Sequence, residues 1–361
     1  MRISFKAVLS AIFVQLLLAA LAAGQIRHEI DLPDILGFKT LKCDFHMHTV
    51  FSDGAVWPTV RVDEAWREGL DAIAITDHIE YQPHKQDIPT NFNRPHDIAL
   101  PGAKEKNILL IKAAEITRDT PPGHFNALYL EDVNPLNTED LIQAAKAADA
   151  QKAFIFWNHP GWKPDRKGWF DIHTQLYENK LMHGIEVANG DSYYPEAHQW
   201  AIEKNLTMMG NSDSHPPNLT LQTTADNHRT MTLVFARERT TEAIKEALTE
   251  GRTVVWFEKQ LIGKSEYLEA IFRESVEIGK PHQRTRNGIW VTITNDSAID
   301  IDMERTGTEG PETLTLPADT TTLLRTGNPG GTGPLKLSYV VRNFLIAPEE
   351  GLPVELTIDF Q

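Results

Sequence analysis

Cysteine is almost absent: Cys43 is the only one in 361 residues, so no disulfide can close within the chain. A small disulfide-stapled fold is thereby excluded. Cys43 lies in a short apolar run, where alternation points it away from His46 and its expected role is small apolar filler. Basic charge is also scarce, with 35 Lys and Arg against 50 Asp and Glu and a formal net charge of −15. No basic stripe gathers anywhere, so binding of a nucleic-acid polymer through phosphate neutralisation is not expected. A small anionic ester would have to be drawn by a local field instead. Long apolar runs are confined to the start. Arg2 and Lys6 precede an uncharged stretch from Ala7 to Ala20, which exits through Ala20-Leu21-Ala22-Ala23-Gly24. That is the layout of a secretory signal peptide. Ala7 to Ala23 sits at the short limit for a membrane span of about 17–25 residues. No cysteine stands at the cut site to direct lipoprotein processing. The expectation is a signal peptide over residues 1–23, export to a periplasm, and no stable membrane span after cleavage.

What the chain does have is histidine beside carboxylate at the ends of apolar runs. Leu41-Lys42-Cys43 leads into Asp44-Phe45-His46-Met47-His48, with Ser52-Asp53-Gly54 in the following loop. Residues two apart on a strand face the same way, so His46 and His48 can address one point. Ala72-Ile73-Ala74-Ile75 ends in Thr76-Asp77-His78. Ile108 to Ala114 ends in Glu115, with His124 shortly beyond. Phe154-Ile155-Phe156-Trp157 ends in Asn158-His159-Pro160, and Leu206 to Gly210 leads into Asn211-Ser212-Asp213-Ser214-His215. Barrel enzymes of the β/α type build their sites at such carboxyl ends. Imidazole and carboxylate together suit Zn, Mn or Fe. Between the runs, Pro58–Glu68, Thr138–Ala150, Pro195–Asn205 and Thr240–Glu250 read as helices. Alternation of this kind fits an α/β barrel or a doubly wound sheet, and periodicity does not separate the two.

As an ordered set, HxH, TDH, a lone Glu, a later His, NHP and SDSH resemble the PHP (polymerase and histidinol phosphatase) superfamily, over roughly Phe38 to Lys264. The resemblance implies a distorted (β/α)7 barrel carrying as many as three divalent ions. It assigns His46, His48, Glu115 and Asp213 to one ion. Glu115 would bridge to a second, held also by His124 and His159, and Asp53, His78 and His215 would hold the third. The Ser-Asp-Gly form at Asp53 is similar to exported members that act on organophosphate diesters. The implied activity is hydrolysis of phosphate esters, most of all phosphodiesters, by a metal-bridging hydroxide attacking phosphorus. Two alternatives stand beside it: a monoesterase on sugar or nucleoside phosphates, and a non-catalytic envelope protein that binds an anion through metal.

Other polar groups compete for supporting roles. Asp77 is expected to orient a ligand imidazole. Arg118, three residues beyond Glu115, is a candidate phosphate contact. His228 is a candidate leaving-group acid, although a regular last strand from Arg229 to Phe235 would place it at the end away from the site. Lys85, Tyr193 and Tyr194 are further candidates. Tyr81 to Leu100 reads as a long irregular insertion, with His84 and His96 as wall or surface residues. The loop Gly161 to Phe170 brings Trp162 and Trp169, which either stack on an ester group or pack the loop down. Residues 24–264 thus form the expected barrel, 265–280 a linker helix, and 281–361 a small antiparallel β-domain with alternating runs such as Trp290-Val291-Thr292-Ile293-Thr294.

Overall fold

A computed structural model describes residues 26–88, 91–219, 223–285, 288–327 and 333–359. The expected signal peptide lies outside these residues, as does the glycine-containing stretch 328–332. Among the described residues no helix is long and apolar enough to cross a membrane.

The first half alternates strand and helix, as the apolar runs require. Strands β1 (Lys39–Asp44), β2 (Ala72–Ile75) and β3 (Leu109–Ile116) pair in parallel, joined by helices α1 (Pro58–Arg67) and α2 (Arg94–Glu105). β4 (Phe125–Leu128) then runs antiparallel to both β3 and β5 (Phe154–Trp157), with α3 (Leu141–Asp149) between β4 and β5. Only a short loop joins β3 to β4, too short for the crossover a parallel pair needs. Helix α4 (Asp171–Glu178) leads to β6 (Gly184–Asn189), which is parallel to β5. After the two-residue β7 (Ser192–Tyr193) and α5 (Pro195–Lys204), β8 (Thr207–Asn211) is parallel to β6. The ring closes where Met47 bridges Ser214 in parallel, and the Asp213 N–H donates to the His46 carbonyl at 2.9 Å. β2 and β5 are buried at every residue, because both faces of the sheet are covered.

Local chemistry sets the helix ends. Asp140 accepts from the Gln143 N–H at 2.8 Å to cap α3, and Thr240 accepts from Ala243 at 3.2 Å to cap α6 (Thr241–Thr249). The expected irregular insertion is corrected: its last seven residues, from Arg94, belong to helix α2. Pro95 falls in the first turn, where its missing N–H costs nothing, and buried Ala99 and Ala103 give the helix an apolar face.

β9 (Met231–Ala236) lies antiparallel on β1, followed by β10 (Thr253–Phe257) and β11 (Gln260–Gly263). Helix α7 (Ser265–Ser275) ends earlier than the expected linker, and the next strand, β12 (Val276–Ile278), already pairs in the second domain. That domain is a sandwich. One sheet joins β12, β13 (Gln283–Thr285), β14 (Gly288–Asn295) and β17 (Thr320–Thr326); the other joins β15 (Ile301–Arg305), β16 (Thr313–Leu316), β18 (Leu335–Ala347) and β19 (Glu350–Ile358). β18 also pairs with β11, so the second sheet continues the barrel sheet. One apolar core follows, with Leu233, Trp256 and Leu261 of the first half packed in the same cluster as Met303, Leu337 and Phe344 of the second.

Candidate metal centre

Five strand ends and the start of a sixth strand deliver the cluster. His46 and His48 follow β1, His78 follows β2, Glu115 closes β3, His159 follows β5, and Asp213 and His215 follow β8. His124 precedes β4, yet reaches the same end of the barrel because that strand runs the other way.

Glu115 is fully buried and sits at the middle. Its Oε2 lies 3.4 Å from His46 Nε2, 3.3 Å from His48 Nε2 and 3.0 Å from His78 Nδ1. Its Oε1 lies 2.8 Å from His124 Nδ1 and 3.8 Å from His159 Nε2. Asp213 Oδ1 is 3.2 Å from His46 Nε2 and 3.0 Å from His48 Nε2. Asp53 Oδ1 is 3.5 Å from His78 Nε2 and 3.2 Å from His215 Nε2. All nine residues named in the sequence reading therefore converge.

Buried polar atoms normally have hydrogen-bond partners. Here His46 Nε2, His48 Nε2, His124 Nδ1, Asp53 Oδ1, Glu115 Oε2 and Asp213 Oδ1 are buried without one. Lone pairs crowded together without aligned protons are what a cation satisfies, so the donor set fits divalent metal. Four overlapping groups have donor atoms within 4.8 Å of one another: His48, Asp53, His78 and His215; His46, His159 and Asp213; His46, His48 and Glu115; His78, Glu115 and His124. His159 thus groups with His46 and Asp213, whereas the resemblance put it beside His124.

The supporting groups aim these lone pairs inward. His46 Nδ1 donates to Glu186 Oε1 at 2.9 Å, leaving Nε2 for the cluster. Glu186 also accepts the main-chain N–H of His159 at 2.7 Å. His215 Nδ1 donates to the Asp213 carbonyl at 2.7 Å, which frees its Nε2. Asn158 donates to Glu115 at 3.0 Å. Asp77 accepts from the Thr49 N–H and from Ser52 Oγ, each at 2.6 Å, and Ser52 stands 3.3 Å from His48 Nδ1. Its influence on the imidazole therefore passes through the loop and is not a direct bond. Arg61 is wholly buried and donates to the carbonyls of His48, Ser214, His215 and Pro216 at 2.8–3.0 Å, tying two ligand loops together.

The charges confirm how polarised this pocket is. Burial pushes His48 down, to about 4, helped by the neighbouring His78. Burial opposes charge on His78 too, but Glu115 and Asp53 outweigh it and hold that ring at about 9. Burial likewise works against Asp53 and Asp213, yet the imidazoles around them keep both carboxylates well below the usual range. A cation held by these residues would displace the proton from the His78 ring.

Two sequence candidates fall away. Arg118 donates to Glu80, to the Thr117 carbonyl and to the Thr138 carbonyl, and does not line the cavity. His228 is on the site's end of the sheet after all, because β9 is antiparallel to β1. Its ring, however, packs on Trp256 at 4.0 Å, and its nitrogens meet the Arg229 and Glu258 carbonyls at 2.8 Å. Lys85 and His84 are exposed, and His96 lies on α2. Trp169 packs against Trp157 and Trp200 and donates to Thr174, so it serves the core of its loop. Glu186 escaped the sequence reading because it lies inside the buried run Ile185-Glu186-Val187 and not at the end of one, where Glu115 was found.

Gly54 shows how tightly the Asp53 loop is seated. A Cβ there would come 2.5 Å from the main-chain carbon and oxygen of His48, which cannot yield as a side-chain tip does. Gly54→Ala is expected to cost about 1–3 kcal/mol, the usual overpacking range, and to lower bound metal. Thermal melts with elemental analysis check both; an unchanged melt with full metal content would refute the close approach.

The DUF5001 Ig-like domain model matches residues 276–357. No curated protein matches the chain. A two-domain protein from Bacteroides vulgatus, containing a predicted PHP-like metal-dependent phosphoesterase, is 46% identical. The match covers 93% of this chain and 100% of that one, with a TM-score of 0.88. A Bifidobacterium adolescentis structure assigned as a metal-dependent phosphoesterase matches at 16% identity and a TM-score of 0.41, over 58% of this chain and 96% of its own. Identity sustained across barrel and sandwich together, with the cluster intact at the strand ends, places the chain in the PHP-like family of metal-dependent phosphoesterases, in its two-domain form with an Ig-like carboxyl-terminal domain.

Proposed function

We propose that the protein hydrolyses small phosphodiesters at a centre of three divalent ions, with Mn, Zn or Fe the metals its donor set suits. The observation that carries the diester reading is the lining of the cavity. Its volume is about 250 Å³, and Asp53, His78, His124, His159, Trp162, Asn189, Asp213 and His215 line it. No Arg or Lys is among them. A dianionic monoester gains most from fixed cationic side chains, whereas a monoanionic diester needs less positive charge beyond the ions themselves.

Divalent ions bound here supply water activation near neutral pH and polarisation of the phosphoryl oxygens. The chain's residues do the rest. Glu115 spans the cluster, with Oε2 serving His46, His48 and His78, and Oε1 facing His124 and His159. Glu186 and the Asp213 carbonyl set the tautomers of His46 and His215. Arg61 holds the His48 and Ser214–His215 segments at fixed separation. Because every titratable group lining the cavity among the described residues is a candidate metal ligand, alcohols that leave without protonation are favoured.

With Mn- and Zn-loaded protein, kcat/KM for bis(p-nitrophenyl) phosphate is expected to exceed that for p-nitrophenyl phosphate by on the order of tenfold, a difference of about 1.4 kcal/mol at the transition state. The reverse preference would make the protein a monoesterase. Tight binding without turnover of either would make it an anion-binding protein.

A further inference from the structure

We infer that Trp162 selects diesters carrying a planar aromatic group, a phenol-type ring or a nucleobase. This deepens the diester reading and rests on it. Among the described residues, every other one lining the cavity is a ligand candidate or an asparagine, so Trp162 is the one broad apolar surface they offer. The side chain is 47% exposed, with its ring 5.7 Å from that of His124 and 5.8 Å from that of His159.

The loop anchors the backbone that carries this ring. The Trp162 N–H donates to the His159 carbonyl at 3.1 Å, so the indole is one turn from a ligand. Gly161 is pressed on Tyr194, where an added Cβ would come 2.6 Å from the phenol ring. Lys163 places its ammonium 4.6 Å from the Trp162 ring centroid and donates to Asp119 at 2.6 Å, and Arg166 donates to the same carboxylate at 3.2 Å. An aromatic side chain on an anchored backbone adds stacking at a reduced ordering cost on binding. Tyr81, 52% exposed and 6.0 Å from the His78 ring, puts a second aromatic beside the ligand set. The contrast within the loop is direct, since Trp169 is packed away and Trp162 is not.

The test keeps the leaving group constant. The metal-loaded full chain is given ethyl, phenyl and thymidine-5′ esters of p-nitrophenyl phosphate. An aromatic contact of ordinary strength predicts phenyl or thymidine esters ahead of the ethyl ester by about 3- to 10-fold in kcat/KM, through KM. Which of the two leads separates a phenolic from a nucleobase source. In Trp162→Ala the ratio falls to about one, and Trp162→Phe restores most of it. Calorimetry with diphenylphosphinate and dimethylphosphinate, which cannot be hydrolysed, reads the same preference without turnover. A ratio near one in the unaltered protein, or one unchanged by Trp162→Ala, overturns the inference. If no diester is hydrolysed yet diphenylphosphinate is preferred only while Trp162 is present, the diester reading fails and the aromatic site stands.

Discussion

Glu115→Gln is expected to abolish phosphoesterase activity and to strip the protein of metal while leaving it folded. The change is isosteric, so the buried volume is kept and only the charge goes. Both oxygens of Glu115 lie against imidazole nitrogens, five of them in all. A neutral amide presents one acceptor and one donor, and the donor faces the lone pairs of the rings it should share a cation with. Loss of a group that merely orients a metal ligand costs 10–100-fold, so loss of the shared ligand is expected to cost at least about 100-fold. Elemental analysis and turnover of bis(p-nitrophenyl) phosphate measure the two effects together. Full metal content in the glutamine variant would remove Glu115 from the centre and, with it, the arrangement argued above.

The second large effect concerns the scaffold. Arg229 is buried and donates to Glu68 through Nε and Nη2 and to Asp44 through Nη1, each at 2.8 Å. Asp44 in turn accepts from Ser212 Oγ at 2.6 Å, and so anchors the loop that carries Asp213. Arg229→Met leaves two buried carboxylates without their cation. Breaking a buried pair costs roughly 3–5 kcal/mol, a fall in melting temperature on the order of 10 °C in a protein of this size. A drop of only one or two degrees in a thermal melt would show that the carboxylates find other partners. Because Asp44 meets the site only through the main-chain N–H of His46 and through Ser212, and touches no donor side chain of the cluster, metal content is expected to fall less steeply here than in Glu115→Gln.

The clustered histidines and carboxylates were legible because strand ends follow a simple rule: an apolar run buried on both faces stops where a polar side chain can face the cavity mouth. His46 with His48, His78, Glu115, His159 and Asp213 with His215 all obey it. His124 obeys it in reverse, at the start of an antiparallel strand. Residues that act by reaching across the fold followed no such rule. Arg61 and Arg229 look like ordinary helix and loop cations in sequence, and only the closed barrel sets them against carbonyls and carboxylates more than 150 residues away. Arg118 failed as a candidate for the converse reason, since adjacency to Glu115 in the chain said nothing of Glu80, which claims its guanidinium. The His228 geometry failed because the direction of β9 depends on its pairing with β1 and not on its own composition.

By itself, then, the amino-acid sequence determined the kind of chemistry, through the types of side chain placed after each buried strand, and the division into an α/β part and an all-β part, through the change in hydrophobic period. The tertiary structure alone decided which donors share a point in space, which tryptophan meets the cavity, and how the sandwich continues the barrel sheet. Those outcomes turn on strand direction and long-range closure, and a local pattern of residues carries no information about either until the chain has come back on itself.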